Sequence, residues 1–230
     1  MLSQPSPDTL EKITLFQGLE DRHLNWFVGH LHCNVFPADT NLITVEQPGD
    51  VVFIIINGTV KVHVKQATGA DVVLAILGSG DIVGEMSLLD SAGRSANVVT
   101  LEESTVLWLD RDSFQEALNT IPSLSVNLFR LLAQRLRLAN AQIQTLATLD
   151  VYGRVARQLL AFAEKYGENG PNGAQIIPIR LTQGDIADLV GASRKRVNQV
   201  MVKFKMYHYI SVDANGHVTV LNPSALMRFC

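Results

Sequence analysis

From Phe36 to Leu109 the apolar positions fall in short β-branched runs broken by Gly, Pro and Asp. Asn41–Val45 precedes Gln47-Pro48-Gly49-Asp50; Val51–Ile56 precedes Asn57-Gly58; Thr59–Val64 precedes a turn at Ala67–Ala70. Val72–Leu77 then leads into Gly78-Ser79-Gly80-Asp81, and Asn97–Thr100 and Thr105–Leu109 close the series. Short strands with a turn signal every 6 to 12 residues predict a β-sandwich or barrel. Asn57-Gly58 is the strongest hairpin signal, because both residues tolerate positive φ. Before this block, Thr9–Leu31 carries helical spacing and predicts small helices packed on its edge.

The texture changes at Asp112. Phe114, Leu118 and Ile121 predict a short helix ending near Pro122, and Ser123–Leu149 then runs without Gly or Pro. Leu128, Leu132, Leu136, Ala139, Ile143 and Leu146 recur at steps of 4, 4, 3, 4 and 3, the seam of a coiled-coil-like helix. At 1.5 Å per residue that helix is about 40 Å long and outruns a small β-domain, which favours a dimer seam over packing on its own core. Asp150 is placed to cap a new helix over Val151–Tyr166, and Gly167–Gly173 reads as a loop.

Thr182–Ile210 holds the most specific pattern. Gln183–Val190 predicts a short helix with Ile186, Ala187 and Val190 on one face; Gly191-Ala192-Ser193 turns, and Arg194–Tyr207 predicts a second helix burying Val197 and Val200. A small residue, a glycine and two apolar residues at relative steps of 0, 4, 10 and 13 describe a helix-turn-helix. Two short strands about Asn215-Gly216 add a wing.

Composition adds bounds. The 230 residues are 47% apolar with a formal net charge of -3, enough for two soluble domains. Charge is unevenly spread: Arg180–Ile210 holds six basic and two acidic residues, a local +4 that leaves -7 elsewhere. That basic second domain supplies the footprint that double-stranded DNA demands. Cys33 and Cys230 stand alone, so neither a disulfide framework nor a Cys-built zinc or iron-sulfur site assembles, and a reducing cytoplasm is expected. No apolar run is long enough to span a membrane, and the six histidines show no metal spacing beyond His30-Leu31-His32. Without a nucleophile elbow or P-loop, an enzyme is not expected.

Two constellations carry chemistry. Near the start of the second predicted helix, Arg194, Lys195, Asn198 and Gln199 are candidate base readers; Ser193 and Thr182 are placed to hold phosphate, as is Lys203. The other is Gly84-Glu85-Met86-Ser87 after a strand ending at Val83, followed by Arg94-Ser95-Ala96. Glycine admits backbone amides to an anion, Arg94 offers a bidentate guanidinium and Ser95 a hydroxyl. Glu85 belongs in such a cradle if it accepts a hydrogen bond from a ribose hydroxyl.

On these motifs the chain resembles the Crp-Fnr family of bacterial transcription regulators. Gly84-Glu85 through Arg94-Ser95-Ala96 resembles its phosphate-binding cassette, Asp150–Arg154 its hinge and Gln183–Ile210 its helix-turn-helix, with Gly49-Asp50, Gly58 and Gly80-Asp81 matching turns of its β-roll. The resemblance implies an α+β chain: a jelly-roll-like, cyclic-nucleotide-binding β-roll over 1–122, a dimerisation helix over 123–149 and a winged helix-turn-helix over 150–230. It further implies a cytoplasmic homodimer, a two-fold-symmetric DNA site, RNA polymerase as a partner and a cyclic nucleotide effector; the N-terminal cysteine cluster that holds an iron-sulfur centre in the family's oxygen-sensing branch is absent, and no metal, haem or iron-sulfur cluster is expected. Where cyclic-AMP-responsive members place a Thr-Ser pair, this chain has Ala139 and Asn140; Asn140 and Arg135 are the residues left to reach a purine. Cyclic AMP is the first expectation. Cyclic di-GMP, or an effector-independent regulator controlled by a partner protein, are the alternatives. Lys195 stands for a usual Glu and Gln199 for a usual Arg, so the half-site is expected to differ from the common one.

Overall fold

The computed structural model describes residues 5–66, 71–90 and 92–230; the turn expected at Ala67–Ala70 lies outside the described residues. The chain divides into two compact units, one of the chain up to Val64 with Ile76–Arg137, the other of Lys65–Ala75 with Leu138–Cys230.

In chain order, α1 (Pro7–Glu11), a 3-10 turn (Thr14–Phe16) and α2 (Asp21–His30) precede the strands β1 (His32–Phe36), β2 (Asn41–Ile43), β3 (Val51–Asn57), β4 (Val60–Lys65), β5 (Asp71–Leu77), most of which is counted with the second unit, and β6 (Ile82–Val83). Then come α3 (Glu85–Asp90), β7 (Asn97–Thr100), β8 (Ser104–Asp110), α4 (Arg111–Thr120) and the long α5 (Pro122–Thr148). Two four-stranded sheets, in the orders β1-β8-β3-β6 and β2-β7-β4-β5, form the expected β-roll. The neighbours of β3 pair antiparallel, with Phe53 opposite both Trp108 and Val83. Because side chains alternate along β3, Val52 and Ile54 join a helical core with Phe16, Phe27, Phe114 and Leu124, while Phe53 and Ile55 are buried on the opposite face. Asp110 starts α4 as its N-cap, accepting from Ser113 N at 2.9 Å.

The start of α5 corrects one expectation. Leu128 is buried in the helical core and Leu132 is packed against it, so the first two leucines of the expected seam turn inward. The stripe left outward is Val126, Phe129, Ala133, Leu136, Asn140, Ile143 and Ala147, a regular alternation of three and four residues. Phe129, Leu136 and Ile143 are 65%, 63% and 66% exposed. Both stripes are nearly heptad, and the fit of Leu128 among Phe16 and Phe114 decides between them.

The second unit takes the C-terminal part of α5, then α6 (Val151–Tyr166), β9 (Glu168–Asn169), a 3-10 turn (Pro171–Gly173), β10 (Gln175–Arg180), α7 (Gln183–Leu189), α8 (Arg194–Met206), β11 (Ile210–Val212), β12 (His217–Val220) and α9 (Pro223–Met227). Asp150 caps α6 by accepting from Gly153 N at 3.0 Å. The region expected to be all loop holds β9, which pairs with β10 through Asn169 and Gln175. The sheet runs β11-β12-β10-β9, and its register shifts between Ile177 and Arg180, where Pro178 has no N–H to give to the ladder.

Candidate functional site

The cradle forms where β6 ends. Gly84 has φ +88 and a Cβ there would stand 2.5 Å from Arg94 Nη1 and 3.0 Å from Val51 O, so only glycine fits. Behind it α3 begins with Glu85, buried together with Ser87, while Met86 between them is exposed. Arg94 is buried. Its Nη1 donates to Gly84 O and to Ser87 Oγ, both at 3.0 Å, and its Nη2 to Val51 O at 2.8 Å. Ser87 Oγ in turn donates to Gly84 O. Arg94 Nε, also buried, has no partner among the described residues. Burial pulls the Arg94 pKa down, Asp50 opposes this and Arg111 adds to it, so the cation sits desolvated, bonded to neutral acceptors alone among the described residues. Ser95 is exposed, its hydroxyl 3.8 Å from Met86 Sδ.

Glu85 is already engaged. Arg135, from α5, donates Nη1 to Glu85 Oε1 at 2.6 Å and Nη2 to the carbonyl of Ile82. Sequence reasoning brought Arg135 towards the cradle through the family resemblance; the structure adds its carboxylate partner. It missed Arg111, whose Nη2 donates to Gly49 O at 2.7 Å and Ser87 O at 3.0 Å and so fastens the turn before β3 to α3. A Cβ on Gly49 would meet Ser87 Oγ at 2.5 Å. No pattern in the sequence marks Arg111, which simply follows the cap Asp110. Ala139 and Asn140 are exposed on α5, in the second unit.

In that unit α7 and α8 form the helix-turn-helix. Thr182 caps α7 in a reciprocal box with Asp185: its hydroxyl donates to the carboxylate and accepts from Asp185 N at 3.1 Å. The Thr182 hydroxyl is therefore spent on the helix, and Gln183 is half-buried behind it. Gly191 turns with φ +62, and Ser193 caps α8 by accepting from Arg196 N at 3.3 Å. Val197, Val200, Met201 and Phe204 are buried, which leaves Arg194, Lys195, Asn198, Gln199 and Lys203 exposed. Gln199 Oε1 accepts from Arg196 Nη1 at 3.5 Å. Lys203 Nζ lies 4.8 Å from the centre of the Tyr152 ring, a partner the sequence did not suggest. Arg154, in the segment read as a hinge, donates to the carbonyls of Leu146, Leu149 and Val190, tying the end of α5 to the end of α7.

Among the described residues no group of three His, Cys, Asp or Glu is placed to hold a metal, and no helix is long and apolar enough to cross a membrane.

Residues 33–120 match the family model for a cyclic nucleotide-binding domain, and residues 153–229 that for a Crp-like helix-turn-helix domain. A CRP-like cAMP-activated global transcriptional regulator of Mycobacterium tuberculosis is 34% identical over 91% of this chain and 93% of its own length. The cAMP-activated global transcriptional regulator CRP of Pasteurella multocida is 30% identical over 87% and 95%. Among solved structures, FixK2 from Bradyrhizobium japonicum shares the fold with a TM-score of 0.75 at 18% identity, covering 86% of this chain and 96% of that one.

Proposed function

The chain belongs to the Crp-Fnr family of transcription regulators, and from that premise we propose that it works as a cytoplasmic homodimer, gated by cyclic AMP in its β-roll, on a two-fold-symmetric site in double-stranded DNA. It carries a cyclic nucleotide-binding domain and a Crp-like helix-turn-helix, and its relatives are regulators rather than enzymes. Residues 1–122 are assigned to effector binding, 123–149 to dimerisation and 150–230 to DNA, with RNA polymerase as a further partner.

The observation that carries the reading is Arg94: a buried guanidinium whose Nε has no partner among the described residues, beside a glycine that admits no side chain. Gly84, Glu85, Met86, Ser87, Arg94 and Ser95 suit a phosphate ester next to a sugar. Arg94 and the Ser95 hydroxyl supply donors to the phosphate, and the Glu85 carboxylate accepts from a ribose hydroxyl. Arg135 and Asn140 of α5 are the polar groups assigned to the base. Cyclic AMP is favoured over other cyclic nucleotides by the two cAMP-activated relatives at 34% and 30% identity.

The exposed stripe on α5 supports the dimer, since an apolar helix face of this regularity gains its free energy by being covered by a second copy. Asn140 sits within that stripe, where one polar residue sets register at some cost in stability. In α8, Arg194, Lys195, Asn198 and Gln199 are assigned to base edges, and Ser193, Lys203 and the α7 start at Thr182 and Gln183 to phosphates.

Calorimetric titration with cyclic AMP, cyclic GMP and cyclic di-GMP tests the effector. Cyclic AMP is expected to bind most tightly. Tighter binding of either other nucleotide, or no binding of any, overturns the assignment.

A further inference from the structure

The buried side of α8 is Val197, Val200, Met201 and Phe204. At about 100° per residue, the direction pointing straight away from them runs through Lys195, Gln199, Val202 and Met206. That stripe changes character halfway. Its first two turns end in polar groups, whereas Val202 is 50% exposed and Met206 66% exposed. An apolar pair at the outermost line of a helix that also carries Arg194, Lys195, Arg196, Lys203 and Lys205 is out of keeping with a merely solvated surface. Val202 is the better placed of the two, four residues after Asn198 and three after Gln199. It is also β-branched, so its methyls are presented with little χ1 freedom to lose.

We propose that Val202 is a specificity-determining residue that reads a thymine through its 5-methyl group. The inference rests on the proposal that α8 enters the major groove. Within that groove thymine alone among the bases displays a methyl, and side-chain methyls are its natural contact. Four residues of helix advance about 6 Å, so the thymine lies within about two base pairs of the base assigned to Asn198, in the same half-site. The polar readers before Val202 recognise donors and acceptors; Val202 adds the apolar element that they cannot supply.

The test uses the full-length protein with cyclic AMP in excess. A preferred site is first selected from duplexes randomised over both half-sites. Each thymine of that site is then replaced singly by uracil, which removes the methyl and leaves the pairing edge intact, and competition binding is measured by fluorescence anisotropy. One thymine per half-site is expected at which uracil weakens wild-type binding about three- to fivefold, roughly what one buried methyl is worth. The Val202→Ala variant, at an exposed helical position that alanine suits, is expected to bind the thymine and uracil duplexes equally. If the wild type selects no sequence, the DNA-reading proposal fails and this one with it. If it selects a site but every uracil is neutral, or Val202→Ala keeps the wild-type uracil penalty, thymine reading alone is overturned.

Discussion

Arg135 and Glu85 form an ion pair at 2.6 Å in which the carboxylate is buried, its side chain only 3% exposed. The pair joins α5 to the first turn of α3, and Arg135 also donates to the carbonyl of Ile82. Removing the arginine strands a buried charge. Arg135→Leu is therefore expected to lower stability by on the order of 3 kcal/mol, with much of the loss recovered in the double variant Arg135→Leu/Glu85→Gln. Urea unfolding followed by tryptophan fluorescence measures this, since Trp26 and Trp108 both lie in the first unit. A loss within about 0.5 kcal/mol, typical of surface substitutions, would contradict a buried pair.

The α5 stripe bears on assembly. Leu136 and Ile143, one heptad apart and both exposed in the single chain, become buried in the proposed dimer. Leu136→Asp/Ile143→Asp places two carboxylates in that seam at a cost of several kcal/mol. Light scattering at micromolar concentration is expected to give a dimer for the wild type and a monomer for the variant. Leu128→Asp is expected instead to unfold the first unit, because Leu128 faces the core of its own chain.

The motifs legible in the sequence were those whose constraints are local. Ala187, Gly191, Val197 and Val200 meet the steric demands of a helix-turn-helix within fourteen residues, and the Asp150 and Ser193 caps need only the next turn of chain. The closeness of Gly84 and Arg94 was legible for the same reason, ten residues apart around one loop. The phase of the α5 seam was not, because the inward turn of Leu128 depends on Phe16 and Phe114 from distant elements. Strand β9 hid in a glycine-rich stretch because its pairing is supplied by β10. The closure of Arg135 onto Glu85 and the buttress made by Arg111 join residues 50 and 24 positions from their partners, beyond any periodic pattern.

Asp110 gives a pH signature. The Ser113 backbone N–H holds the Asp110 carboxyl below its ordinary value of 3.8, with the Ser113 hydroxyl helping against partial burial. A depressed folded-state pKa means that the cap stabilises fully above that ordinary value and loses its effect as the pH falls through the lower, folded one. Asp110→Ala is expected to cost about 1 kcal/mol near neutral pH. The gap between wild type and variant in urea midpoint should persist at pH 5 and narrow only in stronger acid. A gap already closed at pH 5 would assign the effect to another group.

Arg194, exposed at the start of α8, is assigned to a guanine edge. Such a bidentate contact is worth about 1 to 3 kcal/mol of base discrimination. In competition over a randomised site, Arg194→Ala should flatten preference at one position of each half-site. A uniform loss at all sequences would make Arg194 a phosphate clamp and leave base reading to Lys195, Asn198 and Gln199.

The central claim is that an anionic effector held by Arg94 controls DNA binding by α8. Its most direct test is the affinity of the full-length protein for its selected duplex, by fluorescence anisotropy, with and without saturating cyclic AMP, in wild type and in Arg94→Leu. Loss of a charge-assisted bond costs about 1.5 to 3 kcal/mol, so the variant should need roughly tenfold to a hundredfold more cyclic AMP. The wild type is expected to bind its site at least tenfold more tightly with cyclic AMP than without it, and the variant, at the same nucleotide concentration, to gain much less. Equal affinity with and without cyclic AMP in the wild type, or an undiminished response in Arg94→Leu, would contradict the account.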